Sequence, residues 1–520
     1  MFFTLINLVI SQPLILFAGA FIFRLLAARG VPQSFDCYGH IYFAKELKLQ
    51  KVGPFGSIKI KVVGGDKFST PFMWHWFIGF FSLSFVSRYQ KLFNPFIDAV
   101  FAVCIYFLAI KLGFEREDAL LSFCLYVYTP MWFSRLSIGP RTSSFTPRLS
   151  GEIFTNVFFC VTILPIGAPS WMSILLGSVC CFYVLSSSKF GVQALLFLTP
   201  IISLFSYSLL PIFSLILGIF FLSTISKGAF LNSLKQQLGH LRWYFSKNLK
   251  GETAISDRNK LGKACLRKNK EPLFRYLLRL LYRLTSRNSY ISVLVKMPVV
   301  FMLIGYWFTS PSDILSTTIV PVIAAVCIYF LVNLPQLLFL GEAERYLNHV
   351  AIFIVIGSVS IGNALHVKEL LWFITLYGFL YLLVEAFVMP FLNKKSSTAV
   401  NDHSKILSYL IGIEKTVVLC YPYHAGGGVY RIMSETIHET VFPFGISEEF
   451  AKEFESEFGG KYPFIDLTKL ANIHNSLGVD ILIVSNSAVE NNLDSNWRPT
   501  TNWNEVALGC ELEKVYAYKS

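Results

Sequence analysis

Charge is scarce in this 520-residue chain. Asp, Glu, Lys and Arg together make up 15% of it, where a soluble domain carries about 25%. No acidic residue and no histidine occurs before Asp36 and His40. The ten cysteines are scattered, and Cys104, Cys124, Cys160, Cys180, Cys181 and Cys327 sit inside apolar runs. None forms a CxxC or a Cys/His cluster, which speaks against a zinc site or a disulfide framework. The first apolar run lacks a basic start and a small-residue cleavage site, so it is expected to stay as a signal anchor. Neither GxGxxG spacing nor a P-loop Lys-Ser/Thr occurs at the one Gly-rich loop, Gly426–Gly428.

Apolar residues fill the space that charge leaves. They make up 54% of the chain, Phe alone supplies 50 residues, and mean hydropathy is +0.54. Many runs reach the ~20 residues that cross a bilayer. They centre on 5–27, 72–87, 95–112, 118–134, 152–168, 171–187, 190–225, 293–309, 314–340, 347–365 and 369–391. The 190–225 run is long enough for two helices, with Pro200 and Pro211 as break points. The expected fold is mainly α, a polytopic transmembrane bundle of 11–12 spans with a small C-terminal α/β domain. The membrane domain is expected over residues 1–392 and the soluble domain over 393–520.

The net charge of +13 is local. Lys227–Ser292 holds fifteen Lys and Arg against three acids, and residues 393–520 hold eleven against sixteen. The basic loop 227–292 therefore reads as cytoplasmic rather than as a nucleic-acid site. Parity then places the loop 28–71 outside. Arg275, Arg279, Arg283 and Arg287 recur every fourth residue between Leu and Tyr, the pattern of an amphipathic helix suited to an anionic leaflet. In the C-terminal region Val417–Tyr421, Val479–Val484 and Leu512–Tyr518 read as strands, and Ser447–Phe458 and Asp466–Leu477 as helices.

Four stretches could carry chemistry. Asp36 and His40 stand four apart, on one face of a helix, with Glu46 on the same segment. A carboxylate there is either a solvated loop residue or a general base. Gly139–Glu152 places Arg141, Arg148, several hydroxyls and Glu152 at the mouth of a span, where arginine forks suit phosphate oxygens; setting topology is the plainer reading. Gly341–Tyr346 packs Glu342, Glu344 and Arg345 between two spans, ahead of Asn348 and His349, as a site or as an ion-pair clasp. Tyr421–Arg431 joins a strand, glycines and a helix, the layout of a phosphate cradle or of a flexible loop.

Together these stretches resemble the polytopic C-type (GT-C) glycosyltransferases, which take a sugar from a polyprenyl-phosphate carrier. The resemblance rests on Asp36 early in a long first loop and on Pro71 and His75 at the expected opening of the second span. It extends to the runs 147–152 and 341–346 and to the trailing domain. It implies a multi-pass membrane enzyme, expected in a bacterial inner membrane and acting in envelope polysaccharide or glycoconjugate synthesis. Asp36 would be the base and His40 its orienting partner. Arg141, Arg148 and Arg345 would hold the donor phosphate, supported by Glu46, His75, Glu152, Glu342 and Glu344. The implied partners are a lipid-linked sugar, a glycan or glycoconjugate acceptor and the membrane. The acidic position holds a lone Asp rather than a pair, so no cofactor is implied with certainty and a divalent cation stays open. The alternatives are a transporter, flippase or polymerase of polysaccharide precursors, and a scaffold whose acidic C-terminal domain binds a protein.

Overall fold

The computed structural model describes residues 2–29, 35–64, 67–134, 145–249, 258–259, 272–308, 313–387, 395–422, 428–441, 448–459, 465–466, 469, 473–486, 499 and 502–519. The chain divides into two units. The first comprises Met1–Val31, Arg88–Gly228 and Ala254–Pro390, and the second Pro32–Ser87, Ala229–Thr253 and Phe391–Ser520.

The first unit is helical, as an apolar chain in lipid must be to satisfy its own backbone. Among the described residues, three helices are long and apolar enough to cross a membrane: Ser84–Lys111, Ser170–Ser187 and Lys368–Phe387. Counting two bent helix pairs as spans raises this to five. This count is taken over the described residues, within which some apolar runs are cut into shorter pieces. The 293–309 run bends by 91° between Ser289–Lys296 and Val299–Trp307, where Pro298 cannot donate a backbone hydrogen bond. The 72–87 run yields only the six-residue helix Met73–Ile78. Ser82 then caps the next helix, its Oγ accepting from the Phe85 N–H at 3.2 Å, so the long span starts later than expected. The 190–225 run is two helices, as expected. Its break falls between Phe205 and Leu210, with Pro200 inside the first helix and Pro211 opening the second, where its missing N–H costs nothing.

Buried charge ties this bundle together. Arg24 pairs with Asp98, and both are buried. Asp98 also accepts from the Tyr126 hydroxyl at 2.5 Å, and Arg24 donates to the Val127 carbonyl at 2.5 Å. Asp118 accepts from Asn363 and Lys368, both at 2.7 Å. The helix Ala351–Ala364 is buried on nearly all sides, as expected of one apolar all round. The helix Lys368–Phe387 packs so closely that a Cβ on Gly378 would lie 1.8 Å from the Tyr128 carbonyl oxygen. Gly378→Ala is therefore expected to cost about 1–3 kcal/mol, read as a lower melting temperature of the detergent-solubilised protein.

The second unit is built on a five-stranded sheet of order β4-β3-β5-β7-β6. Its strands are β3 (Val417–Tyr421), β4 (Glu439–Thr440), β5 (Val479–Ser485), β6 (Trp503–Val506) and β7 (Glu513–Tyr518), preceded in the chain by a hairpin of β1 (Ile58–Lys59) and β2 (Lys67–Phe68). β3 runs parallel to β4 and β5, and β7 antiparallel to β5 and β6. Strand alternation divides the apolar residues between two layers. Val418, Cys420, Ile481 and Ile483 join Tyr42, Ile58, Phe72 and Ile432 on one face. Leu419, Tyr421, Leu482 and Val484 join Phe454 and Phe458 on the other. The expected C-terminal strands and the helix Glu448–Phe458 are present; within 466–477 the described helix is only Ile473–Leu477.

Two interacting carboxyls, Asp402 and Glu513, lie where β7 begins. Asp402, buried, accepts from the Leu512 N–H at 2.6 Å. Burial first, and Asp402 second, push Glu513 up to about 7 from an ordinary 4.5. The folded protein thus keeps a proton that the unfolded chain has released. Stability is full below about pH 4.5 and falls as pH rises towards 7. Glu513→Gln should flatten that slope and raise the melting temperature at pH 8 relative to wild type, with little effect at pH 4.5.

Candidate functional site

The second unit gathers the residues of the first loop. The helix Phe35–Leu49 carries Asp36 in its first turn and His40 one turn on; the Asp36 side chain lies outside the described atoms. His40 Nδ1 and His75 Nε2 are 2.7 Å apart, with rings tilted at 31°. His75 is buried, ringed by Phe43, Phe72 and Trp74 at 5.4–5.7 Å. A hydrogen bond between two imidazoles, walled by aromatics, fixes both rings. Gly39 lets this helix meet the helix Gly428–Glu435, because a Cβ there would lie 3.0 Å from the Tyr430 ring. Lys45 and Lys61 donate to the Ser434 and Thr436 carbonyls at 3.0 and 2.9 Å, placing cations at that helix's negative end. Glu46 is buried and accepts from Gln50 at 2.8 Å. Burial, ahead of Glu46, raises the Tyr42 hydroxyl, whose oxygen accepts from the Lys61 N–H.

The first unit gathers the two charged motifs. Arg148 opens the helix Arg148–Ile163, and Glu152 follows one turn later, buried. Their partners come from the segment around Glu344–Asn348. The Arg345 and Arg148 guanidiniums lie 3.9 and 5.1 Å from the centre of one ring, that of Phe190. Arg345 pairs with Glu342, and Arg258 with Glu344. Glu152 accepts from Asn348 at 3.4 Å. Asn156 holds the segment, donating to the Asn348 carbonyl at 2.8 Å and accepting from the Ile352 N–H at 3.0 Å. Among the described residues, Nε and Nη1 of Arg345 and of Arg258 have no hydrogen-bond partner although they are buried. Buried donors without acceptors are costly, and an oxyanion supplies what they lack.

Arg148, Glu152, Glu342, Glu344 and Arg345 are thus brought together. Arg141 lies outside the described residues, as does the Gly-rich loop up to Gly427. Arg258 and Phe190 complete the cluster and were not singled out from the sequence. Arg258 stood among the basic-loop residues assigned to topology, and Phe190 is one of 50. Among the described residues no group of three or more His, Cys, Asp and Glu is arranged to hold a metal ion.

No family model matches the sequence, and no curated protein is similar to it. Solved structures align with the chain at low similarity. One is the oligosaccharyltransferase of Archaeoglobus fulgidus in the apo form, 10% identical with a TM-score of 0.47 over 91% of this chain and 70% of that one. The same archaeal enzyme, AglB, in complex with an inhibitory peptide and a dolichol-phosphate gives 11%, 0.46, 92% and 70%. ArnT from Cupriavidus metallidurans bound to undecaprenyl phosphate is 11% identical with a TM-score of 0.41 over 98% of both chains. These are C-type glycosyltransferases, the family that the sequence motifs resemble.

Proposed function

We propose that this chain is a membrane glycosyltransferase that moves a sugar from a polyprenyl-phosphate carrier to an envelope glycan or glycoconjugate. The observation that carries the reading is the buried arginine cluster of the first unit. Arg345 and Arg148 share the Phe190 ring, and Arg345 and Arg258 keep buried donors without protein acceptors. A lipid-borne phosphate fits them: its prenyl tail suits the apolar helices, and its oxygens suit guanidinium forks. Asp36 would take the proton of the acceptor hydroxyl, and the His40–His75 pair would orient it. The hydroxyl oxygen then bonds to the anomeric carbon as the bond to the carrier phosphate breaks, the phosphate oxygen leaving with the bonding pair. We place the enzyme in a bacterial inner membrane.

The test is reconstitution of the purified protein in liposomes with a radiolabelled polyprenyl-phosphate sugar and a lysate of envelope glycans. Label passing into a glycan that survives lipid extraction supports transfer. Label that only changes leaflet, remaining on the lipid, would establish the flippase reading instead. That second reading has its own observation. Lys296 and Glu385 are buried in the helical unit, and an ionisable group inside a membrane usually has a functional role.

A further inference from the structure

The helix Leu273–Arg287 of the first unit holds four arginines and no acidic residue. Its 15 residues span about 22 Å, short of the ~30 Å hydrocarbon core of a bilayer, and its charges bar it from crossing one. Leu273, Leu277 and Leu281 recur every fourth residue, and Phe274 stands seven before Leu281, so the four share one side. They are between 50% and 70% exposed. Arg279, Arg283 and Arg287 recur with the same step, two positions out of phase, on the opposite side. Arg283 and Arg287 are exposed, and Arg279 lies over the Tyr276 ring at 5.5 Å. The far end of the helix is fixed instead. Thr285 and Ser286 are buried. Asn259 donates its N–H to the Arg287 carbonyl at 3.1 Å and accepts from the Ser289 N–H at 2.7 Å. Asn259 Nδ2 donates to Asn333 Oδ1 at 3.1 Å, and Asn333 donates in turn to Ser289 Oγ at 3.1 Å. The residue before Asn259 is Arg258, which pairs with Glu344. One clasp thus joins the end of an exposed helix to the arginine cluster.

We propose that this helix lies flat on anionic lipid, its Leu and Phe ridge in the acyl boundary and its arginines on headgroup phosphates, and that this contact steadies Arg258 at Glu344. An exposed apolar ridge of this kind marks a contact surface. An acidic protein or a nucleic acid would engage the arginines and leave the ridge in water. A leaflet takes up both sides of the helix at once. Because no acid on the helix offsets its arginines, anionic lipid is favoured over neutral lipid, by about fivefold in affinity for each arginine near the surface. Seating the helix fixes the direction of the Arg287 carbonyl, and the Asn259 N–H that bonds to it carries that constraint to Arg258 through contiguous hydrogen bonds.

The test uses the full-length protein in liposomes of phosphatidylcholine, with or without one-third phosphatidylglycerol, and a photoreactive diazirine amino acid in place of Leu277. After illumination the mass of the adduct identifies the occupant. Phospholipid adducts should dominate in the anionic liposomes, and Arg279→Gln with Arg283→Gln should lower their yield by at least about fivefold. Water or protein adducts in their place would overturn the proposal. So would a lipid yield indifferent both to phosphatidylglycerol and to the two substitutions. Arg258 is read separately with phenylglyoxal, which modifies guanidiniums that solvent reaches, the product being located by mass spectrometry. Its modification should be several-fold slower with phosphatidylglycerol than without. Asn259→Ala, or the two arginine substitutions, should give the faster rate in both liposomes, and melting curves show which variants fold. Equal rates for the wild type in the two liposomes would refute the link to Arg258. Neither readout depends on sugar transfer.

Discussion

Arg345→Met should lower sugar transfer by about 10²–10³-fold, the loss that follows removal of one oriented donor from a developing anion. Methionine keeps an unbranched, polarisable stem against Phe190, so the packing of the ring is largely preserved while the fork is lost. Arg345→Lys keeps the charge but not the planar pair of donors, and an intermediate loss of about tenfold is expected. If the arginine acts chiefly as the carrier phosphate departs, turnover at saturating donor falls while KM changes little. If it binds the donor phosphate equally before and during transfer, KM rises instead. A purely structural clasp gives a third pattern. The substitution leaves the half-buried Glu342 without its partner, which is destabilising, and Glu342→Gln in the same chain should then restore both melting temperature and activity. Restored melting with activity still lost assigns Arg345 to phosphate. Full activity of Arg345→Met removes the carrying observation for the proposed function.

The arginine cluster shows how unevenly the fold was written in the sequence. Arg148 with Glu152, and Glu342 with Glu344 and Arg345, stood out because charge at the mouth of an apolar run is costly. That both motifs meet over Phe190 was not legible, since neither spacing nor composition joins helices so far apart in the chain. Arg258 was hidden for the opposite reason: among fifteen basic residues between Lys227 and Ser292, one more carries no signal. In the sheet unit, Val417–Tyr421 and Val479–Val484 were legible because both faces of a central strand are apolar. That residues 32–87 fold together with these strands was not. The contact turns on Gly39 giving room to the Tyr430 ring, and a glycine in a helix does not name its neighbour. Helix boundaries were not legible where hydropathy averages over local breaks, such as the Ser82 cap and the Pro298 bend. The pairing of Arg24 with Asp98 was not legible either, because each looks isolated in the sequence until the bundle closes on them.

Asp36→Asn carries the largest expected effect. Asparagine keeps the shape and the hydrogen-bonding reach of aspartate but cannot take a proton at neutral pH, so transfer should fall by about 10²–10⁴-fold, the contribution of a general base. The pH profile separates this role from a positioning one. A base must be ionised to act, so the wild-type rate should fall on the acid side as the carboxylate gains its proton. In Asp36→Asn that limb should vanish along with most of the rate. His40→Gln and His75→Gln remove a ring but leave the base, and losses of about tenfold are expected from misorientation. Because His40 Nδ1 and His75 Nε2 lie 2.7 Å apart, the two substitutions should be non-additive: the double variant should lose little more than either single one. Additive losses would mean that the rings act separately. Asp36→Asn with full transfer and an unchanged acid limb would move the base to another carboxylate, and Glu46 is next on the same helix, buried, with Oε1 lacking a hydrogen-bond partner among the described residues.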